Sequence, residues 1–283
     1  MSRGASAAPP AREEVADGPL PRIAVRLPGA SLVAGITARG LNFGRHTDDP
    51  AKQVAEAHHA LRAWAADGFE GIVGGSQVHG TRLFRADGIA VPEAGSRSAP
   101  YALRVADYDG FLTDTPGILL TIGVADCVPA LLYAPDPGAV ALLHAGWRGV
   151  SGAIVPAALA ALENAYGLRP ADCMAYWGPA IGPCCYPVGE DVVEAIRATA
   201  AGARVGAWLR TGDGGQRVDL RAALTVQAEA HGVPEGAITA SGYCTSCAPG
   251  LFHSYRREQG GGGRMLAFAG FPIGGSSIAA GLA

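Results

Sequence analysis

Ala141-Leu142-Leu143-His144-Ala145-Gly146-Trp147-Arg148-Gly149 is the stretch that sets the architecture. Small and branched apolar side chains, as found in a strand buried on both faces, deliver a histidine and then an arginine into a glycine-bracketed turn. Two stretches nearer the start repeat the arrangement. Thr121-Ile122-Gly123-Val124-Ala125-Asp126-Cys127-Val128-Pro129 carries a cysteine in an apolar run, and Ser76-Gln77-Val78-His79-Gly80 carries a second histidine. The expectation is a site at the mouths of three strands, built from two imidazoles and a thiol.

Composition narrows what such a site can serve. With 283 residues, 49% of them hydrophobic and 17% charged, the chain can bury a sizeable core. A net charge of −3 with scattered Lys and Arg provides no basic stripe, which argues against nucleic acid and for a small-molecule substrate. Residues 1–22 are rich in Ala, Pro and charge and lack the apolar core of a secretion signal, so they read as a disordered tail before a catalytic domain over 23–283. No later segment is long and apolar enough to span a membrane. Six cysteines without a secretion signal point to reduced thiols and a cytoplasmic location.

Along the chain, Ala30 to Thr37 reads as a first strand, and Asp49 with Pro50 as the start of a helix. Val54, Ala57, His58, Leu61, Trp64 and Ala65 recur at helical spacing, so His58 faces inward and His59 outward as ordinary helix residues. Pro92 to Pro100 reads as a loop, and Asp107-Tyr108-Asp109-Gly110 as a turn. Strands are expected at Phe111 to Thr113 and Ile118 to Val124. Val128 to Tyr133 and Ala139 to His144 form a hairpin around Pro135-Asp136-Pro137-Gly138, which would hold Cys127 beside His144. A helix follows from about Ser151 and stops at Gly167. Further elements are a strand over Cys173 to Trp177, a helix over Glu190 to Ala200, a helix capped by Asp219, and strands at Ile238 to Ala240 and Met265 to Ala269. No linker divides the chain.

Spacing leaves the chemistry of His79, Cys127 and His144 open. They can be packing residues, or zinc ligands that leave a fourth position free and thus mark a catalytic rather than a structural ion. Zinc with one thiolate keeps about one unit of positive charge, which attracts anions such as phosphate, and Arg148 could fork onto the same anion. Alternatively, Cys127 and His144 can act without metal as nucleophile and base, oriented by Asp126 or His79. Cys244 and Cys247 have the Cys-x-x-Cys spacing of zinc knuckles and redox motifs, but without a second pair of usual spacing they read as packing residues. Cys184 and Cys185, adjacent in a Gly/Pro turn, read as backbone-shaping. Gly260 to Gly263 lacks the pattern of a phosphate loop and reads as a loop tip.

Taken together, the three site stretches, Gly178-Pro179-Ala180-Ile181-Gly182-Pro183-Cys184-Cys185-Tyr186 and the Tyr243 to Arg257 segment resemble the YfiH/laccase-domain family, in matching order from about Ser31 to Ala269. Members are variously called polyphenol oxidase, purine nucleoside phosphorylase or peptidoglycan editing factor. The resemblance implies a single α/β domain of packed mixed sheets flanked by helices, layered α-β-β-α. It implies zinc, with copper as the alternative, on His79, Cys127 and His144. It implies phosphorolysis of adenosine, inosine, guanosine and methylthioadenosine, with adenosine deamination as a second activity, in a monomer or weak homodimer. Arg148, Arg39 and Asn42 would contact substrate or phosphate, and Asp126 would orient a ligand or move a proton. Two departures stand out: the Arg39 to Asn42 stretch is shorter than the family's glycine-rich insertion, and Pro187 replaces a commonly acidic residue. Competing readings are a copper phenol oxidase, a peptidoglycan-precursor editing hydrolase using Cys127 or zinc, and a non-enzymatic protein with structural zinc. Seven histidines with one adjacent pair provide poorly for several coppers.

Overall fold

Strand Ala139–Ala145 is buried along its whole length, and its alternation divides two cores. Ala139, Ala141, Leu143 and Ala145 pack toward helices, whereas Val140 and Leu142 pack toward a second sheet. His144 shares the face of Val140 and Leu142 by the same period of two. The hairpin partner Val128–Ala134 alternates likewise, with Val128, Ala130, Leu132 and Ala134 on the helix side and Leu131 and Tyr133 between the sheets. Antiparallel register sets Pro129 opposite His144 and Val128 opposite Ala145, so Cys127 emerges next to the histidine as the hairpin reading requires. Each fully buried Val or Leu contributes roughly 1.5–3 kcal/mol by leaving water, enough for this hairpin to hold polar groups at its open end.

The computed structural model describes residues 11–28, 31–44, 51–89, 103–136, 138–212 and 214–274. One seven-stranded sheet runs, in spatial order, Arg12–Ala16, Arg22–Arg26, Val33–Thr37, Met265–Gly270, Ile118–Val124, Gly71–Ser76 and Leu103–Ala106. The six-stranded sheet facing it runs Ile238–Ala240, Met174–Trp177, Val128–Ala134, Ala139–Ala145, Gly110–Thr113 and Leu83–Arg85. Both sheets mix parallel and antiparallel pairs. Ile36, Leu120, Ile122 and Ala267 from the first meet Leu131, Tyr133, Leu142 and Tyr176 from the second. Helix Ala51–Ala65 covers the outer face of the first sheet through Ala57, Leu61 and Ala65 against Leu119 and Phe268. Helices Ile154–Tyr166, Glu190–Arg197 and Leu220–Ala230 cover the outer face of the second. The layering is α-β-β-α, as the resemblance implies.

Several local expectations hold for physical reasons visible in the structure. The Asp219 carboxylate caps its helix by accepting the Arg221 and Ala222 N–H groups. Gly167 ends its helix at φ 70°, where a side chain would be strained. His58 is buried and His59 exposed.

The start of the chain corrects the expected tail. Arg12–Ala16 is an antiparallel edge strand on Arg22–Arg26, tied by Glu14 to Arg26 at 2.9 Å and by the Ala11 N–H to Thr239 Oγ1 at 3.1 Å. Its charges, which read as disorder, suit an edge strand exposed on its flank. Residues 1–10, the Asp49–Pro50 helix start and the Pro92–Pro100 loop lie outside the described residues. Short polar strands Leu209–Gly212 and Gly215–Val218, with Pro187–Val188, form a three-stranded ribbon that composition did not signal.

Candidate active site and metal centre

His79 follows the end of Gly71–Ser76 in one sheet, while Cys127 and His144 stand at the open end of the hairpin in the other. The opening between the sheets brings the three together. One ligand atom from each lies within 4.8 Å of the others, and the two imidazole rings meet edge to face at 4.8 Å between centroids. Exposure is graded: His144 is buried, Cys127 half-buried and His79 exposed.

Asp109 organises this trio, although the sequence reading placed it only in a turn. Its fully buried carboxylate accepts the backbone N–H groups of Val78, His79 and Gly80 at 3.1, 2.9 and 2.8 Å. The same carboxylate lies 2.8 Å from His144 Nδ1, which leaves Nε2 to face the site. His79 has φ 59°, a left-handed conformation that a side chain rarely adopts, and the backbone N–H groups donated to Asp109 hold it there. Gln77 closes the neighbouring gap, its amide donating to Gly123 O and accepting from Gly123 N, both at 2.8 Å.

Gly146 provides clearance. A Cβ at this position would stand 2.7 Å from Cys127 Sγ and 3.2 Å from the His79 ring. Without metal, burial pushes the Cys127 thiol up, but His144 and His79 outweigh it and pull it down to about 6. His144 moves the opposite way: burial lowers it, and Cys127 with Asp109 raises it to about 9. The metal-free trio thus favours a thiolate beside a protonated imidazolium, so a soft divalent ion would take up the thiolate and displace the His144 proton to gain a neutral imidazole donor.

A cavity of about 650 Å³ opens from the trio, lined by both sheets and the loops after them. Arg104, Arg148, Arg256 and Arg264 reach its wall, as do Phe43, Trp147, Tyr186 and Tyr255. Three of these pair as cation over ring: Arg148 on Trp147 at 4.3 Å, Arg256 on Tyr186 at 5.2 Å and Arg264 on Tyr255 at 5.2 Å. The arrangement presents flat apolar faces next to fixed positive charge.

The other expected site residues are distributed differently. Arg148 lines the cavity from the first turn of helix Trp147–Ser151. Asp126 also lines it, following a cis Ala125–Asp126 peptide, but its carboxylate accepts Thr245 Oγ1–H at 2.6 Å and the Arg256 N–H at 2.8 Å. It anchors the loop that carries Arg256, while Asp109 holds the histidines. Arg39 and Asn42, expected to contact substrate, lie beside the cavity wall rather than among the described residues lining it. Arg39 bonds Pro249 O at 3.0 Å and pairs with Glu258 at 3.2 Å. Buried Asn42 accepts the N–H groups of Gly44 and Arg264 through Oδ1 at 2.8 and 2.9 Å, positioning two wall residues. Arg104, Arg256 and Arg264 were not singled out by sequence, because nothing in their flanking residues or spacing marks the direction an arginine faces.

Residues 25–272 match the family model described as multi-copper polyphenol oxidoreductase laccase. A purine nucleoside phosphorylase YlmD of Geobacillus stearothermophilus is 38% identical over 253 residues, 86% of this chain and 91% of that protein. A purine nucleoside phosphorylase of Deinococcus radiodurans is 36% identical over 89% of this chain and 91% of its own length. A protein named adenosine deaminase RL5, from an unknown prokaryote, is 31% identical over 77% of this chain and 82% of its own length. The crystal structure of YlmD from Geobacillus stearothermophilus superposes with a TM-score of 0.80 at 34% identity, covering 92% of this chain and 99% of that one. In sequence and in fold alike, the chain belongs to the YfiH/laccase-domain family.

Proposed function

We propose that this protein is a zinc-dependent purine nucleoside phosphorylase acting on adenosine, inosine, guanosine and methylthioadenosine, with adenosine deamination as a second reaction. The observation that carries this reading is one cavity that joins a two-histidine, one-cysteine donor trio to four arginines and four aromatic rings. The names of the relatives, purine nucleoside phosphorylase and adenosine deaminase, support a purine nucleoside as the substrate class.

The donor set fits zinc. Two imidazoles and a thiolate within 4.8 Å of one another match a catalytic site with three protein ligands, held by His79, Cys127 and His144. Bound there, zinc supplies a Lewis-acid charge beside the reacting part of the substrate. The donors fit several coppers less well: among the described residues, the remaining close group of possible ligands consists of cysteines.

The chain's own groups account for binding and orientation. Trp147, Tyr186, Tyr255 and Phe43 provide faces for a purine and exclude water from it. Arg148, with Arg104, Arg256 and Arg264 on the same wall, holds phosphate by charge-assisted hydrogen bonds. Phosphorolysis forms a bond from a phosphate oxygen to C1′ as the C1′–N9 bond breaks. The electron pair leaves with the base, which takes up a proton, giving free purine and the 1-phosphate of the sugar, ribose or 5-methylthioribose. In deamination, water replaces the C6 amino group and ammonia leaves. Asp126 serves both by fixing the Arg256 loop; Arg39 and Asn42 act one step further out, bracing the segments that carry Arg256 and Arg264.

Chromatography of adenosine incubated with zinc-loaded protein, with and without phosphate, tests the proposal. Adenine that appears only with phosphate and inosine in either case, both lost in His144→Ala, is the expected result. Unchanged adenosine with the wild type in both conditions overturns it.

A further inference from the structure

Cys184 and Cys185 stand about sixty residues from Cys244 and Cys247 in the chain, yet the fold brings all four sulfurs within 4.8 Å of one another. Cys185 and Cys244 pack against the core as the packing reading expects, but the second cysteine pair that the sequence spacing lacks stands beside Cys244 and Cys247 in space. The first pair lies in the turn after strand Met174–Trp177, closed by the Cys185 N–H to Gly182 O at 2.9 Å. The second forms a tight loop in which the N–H groups of Cys247 and Ala248 both reach Cys244 O at 3.1 Å. A parallel bridge between Ala180 and Cys244 fixes the two turns against each other.

From this juxtaposition we infer that Cys184, Cys185, Cys244 and Cys247 form a second metal site, a structural tetrathiolate centre for zinc. Cys184 Sγ and Cys185 Sγ lie 3.5 and 3.4 Å from Cys247 Sγ. Those separations are far longer than a disulfide bond of about 2.0 Å and close to the edge of about 3.8 Å of a tetrahedron with zinc–sulfur bonds of about 2.3 Å. The Gly182 N–H donates to Cys244 Sγ at 3.2 Å, the kind of backbone contact that favours a thiolate. Four thiolates around a divalent ion carry a net charge of about −2. Two guanidinium groups stand next to this charge, Arg217 on Cys184 O at 2.9 Å and Arg221 on Tyr243 O at 2.7 Å. With no open position and no histidine, the site takes a soft tetrahedral ion and leaves no room for substrate.

Its consequence is mechanical. The stapled segments carry Ile181 and Tyr186 on one side and Tyr255 and Arg256 on the other, all on the wall of the cavity. The same segments hold Asp126, whose carbonyl accepts the Ile181 N–H at 3.0 Å and whose carboxylate accepts Thr245 and Arg256. A metal in the thiolate site thus fixes one wall of the pocket without touching substrate. This inference stands apart from the proposed reaction, because metal content and sulfur coordination are read without turnover.

The test uses the full chain purified under reducing, zinc-replete conditions, with zinc and iron measured per chain in wild type, His79→Ala/His144→Ala and Cys244→Ser/Cys247→Ser. Two zinc equivalents in the wild type and one in each double variant are expected. The histidine variant retains all four cysteines, so X-ray absorption of its zinc should show four sulfur neighbours at about 2.3 Å. Its four clustered thiols should also resist a thiol reagent until a chelator is added. Absence of zinc from a folded histidine variant overturns the inference. So does a nitrogen- or oxygen-rich shell, stoichiometric iron in place of zinc, or a disulfide among these cysteines by mass spectrometry.

Discussion

Asp109 joins the two histidines of the donor trio: its Oδ1 lies 2.8 Å from His144 Nδ1 and accepts the His79 N–H at 2.9 Å. One buried carboxylate therefore sets the ring orientation of one histidine and the backbone of the other. An Asp109→Asn substitution keeps the shape but places an amide N–H where donors already point, leaving buried groups unpaired. The variant should bind zinc at the trio about 10–100-fold more weakly and lose about 1–3 kcal/mol of stability. Competitive zinc titration of protein shown to be folded by circular dichroism measures the first effect. Wild-type affinity in the folded variant would remove Asp109 from the site.

Gly146 sets the distance at which the hairpin passes the donors. Since an added Cβ would stand 2.7 Å from Cys127 Sγ, Gly146→Ala should displace the sulfur and reduce both zinc affinity and turnover by at least about tenfold, a change of about 1.4 kcal/mol. Gly206→Ala is the control, because nothing lies within 4 Å of its added carbon and alanine favours the helix it occupies. Equal zinc affinity in the Gly146 variant and the control would show that the hairpin can yield without cost to the trio.

The sequence disclosed most about residues whose neighbours share one period. The two apolar runs, Val128 to Tyr133 and Ala139 to His144, around a turn-forming stretch announced the hairpin, and the register then placed Cys127 beside His144 as expected. The resemblance gave the layered fold and pointed to His79, Cys127 and His144, which the fold brings together as a candidate metal-binding group. Asp109 escaped because an Asp before Gly is also an ordinary turn residue, and only the return of strand Gly110–Thr113 beside Ala139–Ala145 turns it toward the histidines. The four cysteines escaped because their union depends on two loops from distant parts of the chain meeting at a single bridge. Arg12–Ala16 escaped because a polar edge strand and a disordered tail have similar composition.

Asp87 gives the fold an acid-sensitive tie away from the cavity. Its carboxylate pairs with Arg85, accepts Thr113 Oγ1–H at 2.9 Å and accepts the Tyr166 hydroxyl at 2.7 Å, linking helix Ile154–Tyr166 to the second sheet. Burial raises this carboxyl, but Arg85, Tyr166 and Thr113 outweigh it and hold it below the usual carboxylate range. A lowered folded value means that the contribution is complete above the unfolded pKa of about 4 and is lost as pH falls through the folded value. Asp87→Asn should therefore cost about 1–3 kcal/mol at pH 7 and progressively less below about pH 4. Urea unfolding at several pH values checks this, and a cost that does not change between neutral and acid pH would refute it.

Arg148 and Arg39 separate contact from support. Arg148 lines the cavity over the Trp147 ring, whereas Arg39 lies outside it on Pro249 and Glu258. Loss of a charge-assisted hydrogen bond to phosphate costs about 1.5–3 kcal/mol. Arg148→Ala should accordingly raise the KM for phosphate by about 10–100-fold. Arg39 is partly exposed, and an ion pair in that setting is worth about 0–1 kcal/mol. Arg39→Ala should change the same KM by less than about fivefold, acting only through the segment it braces. Initial rates of adenine release at varied phosphate distinguish the two. Equal losses in both variants would place Arg39 on the substrate after all, which would require the Pro249 to Glu258 segment to rearrange when phosphate binds.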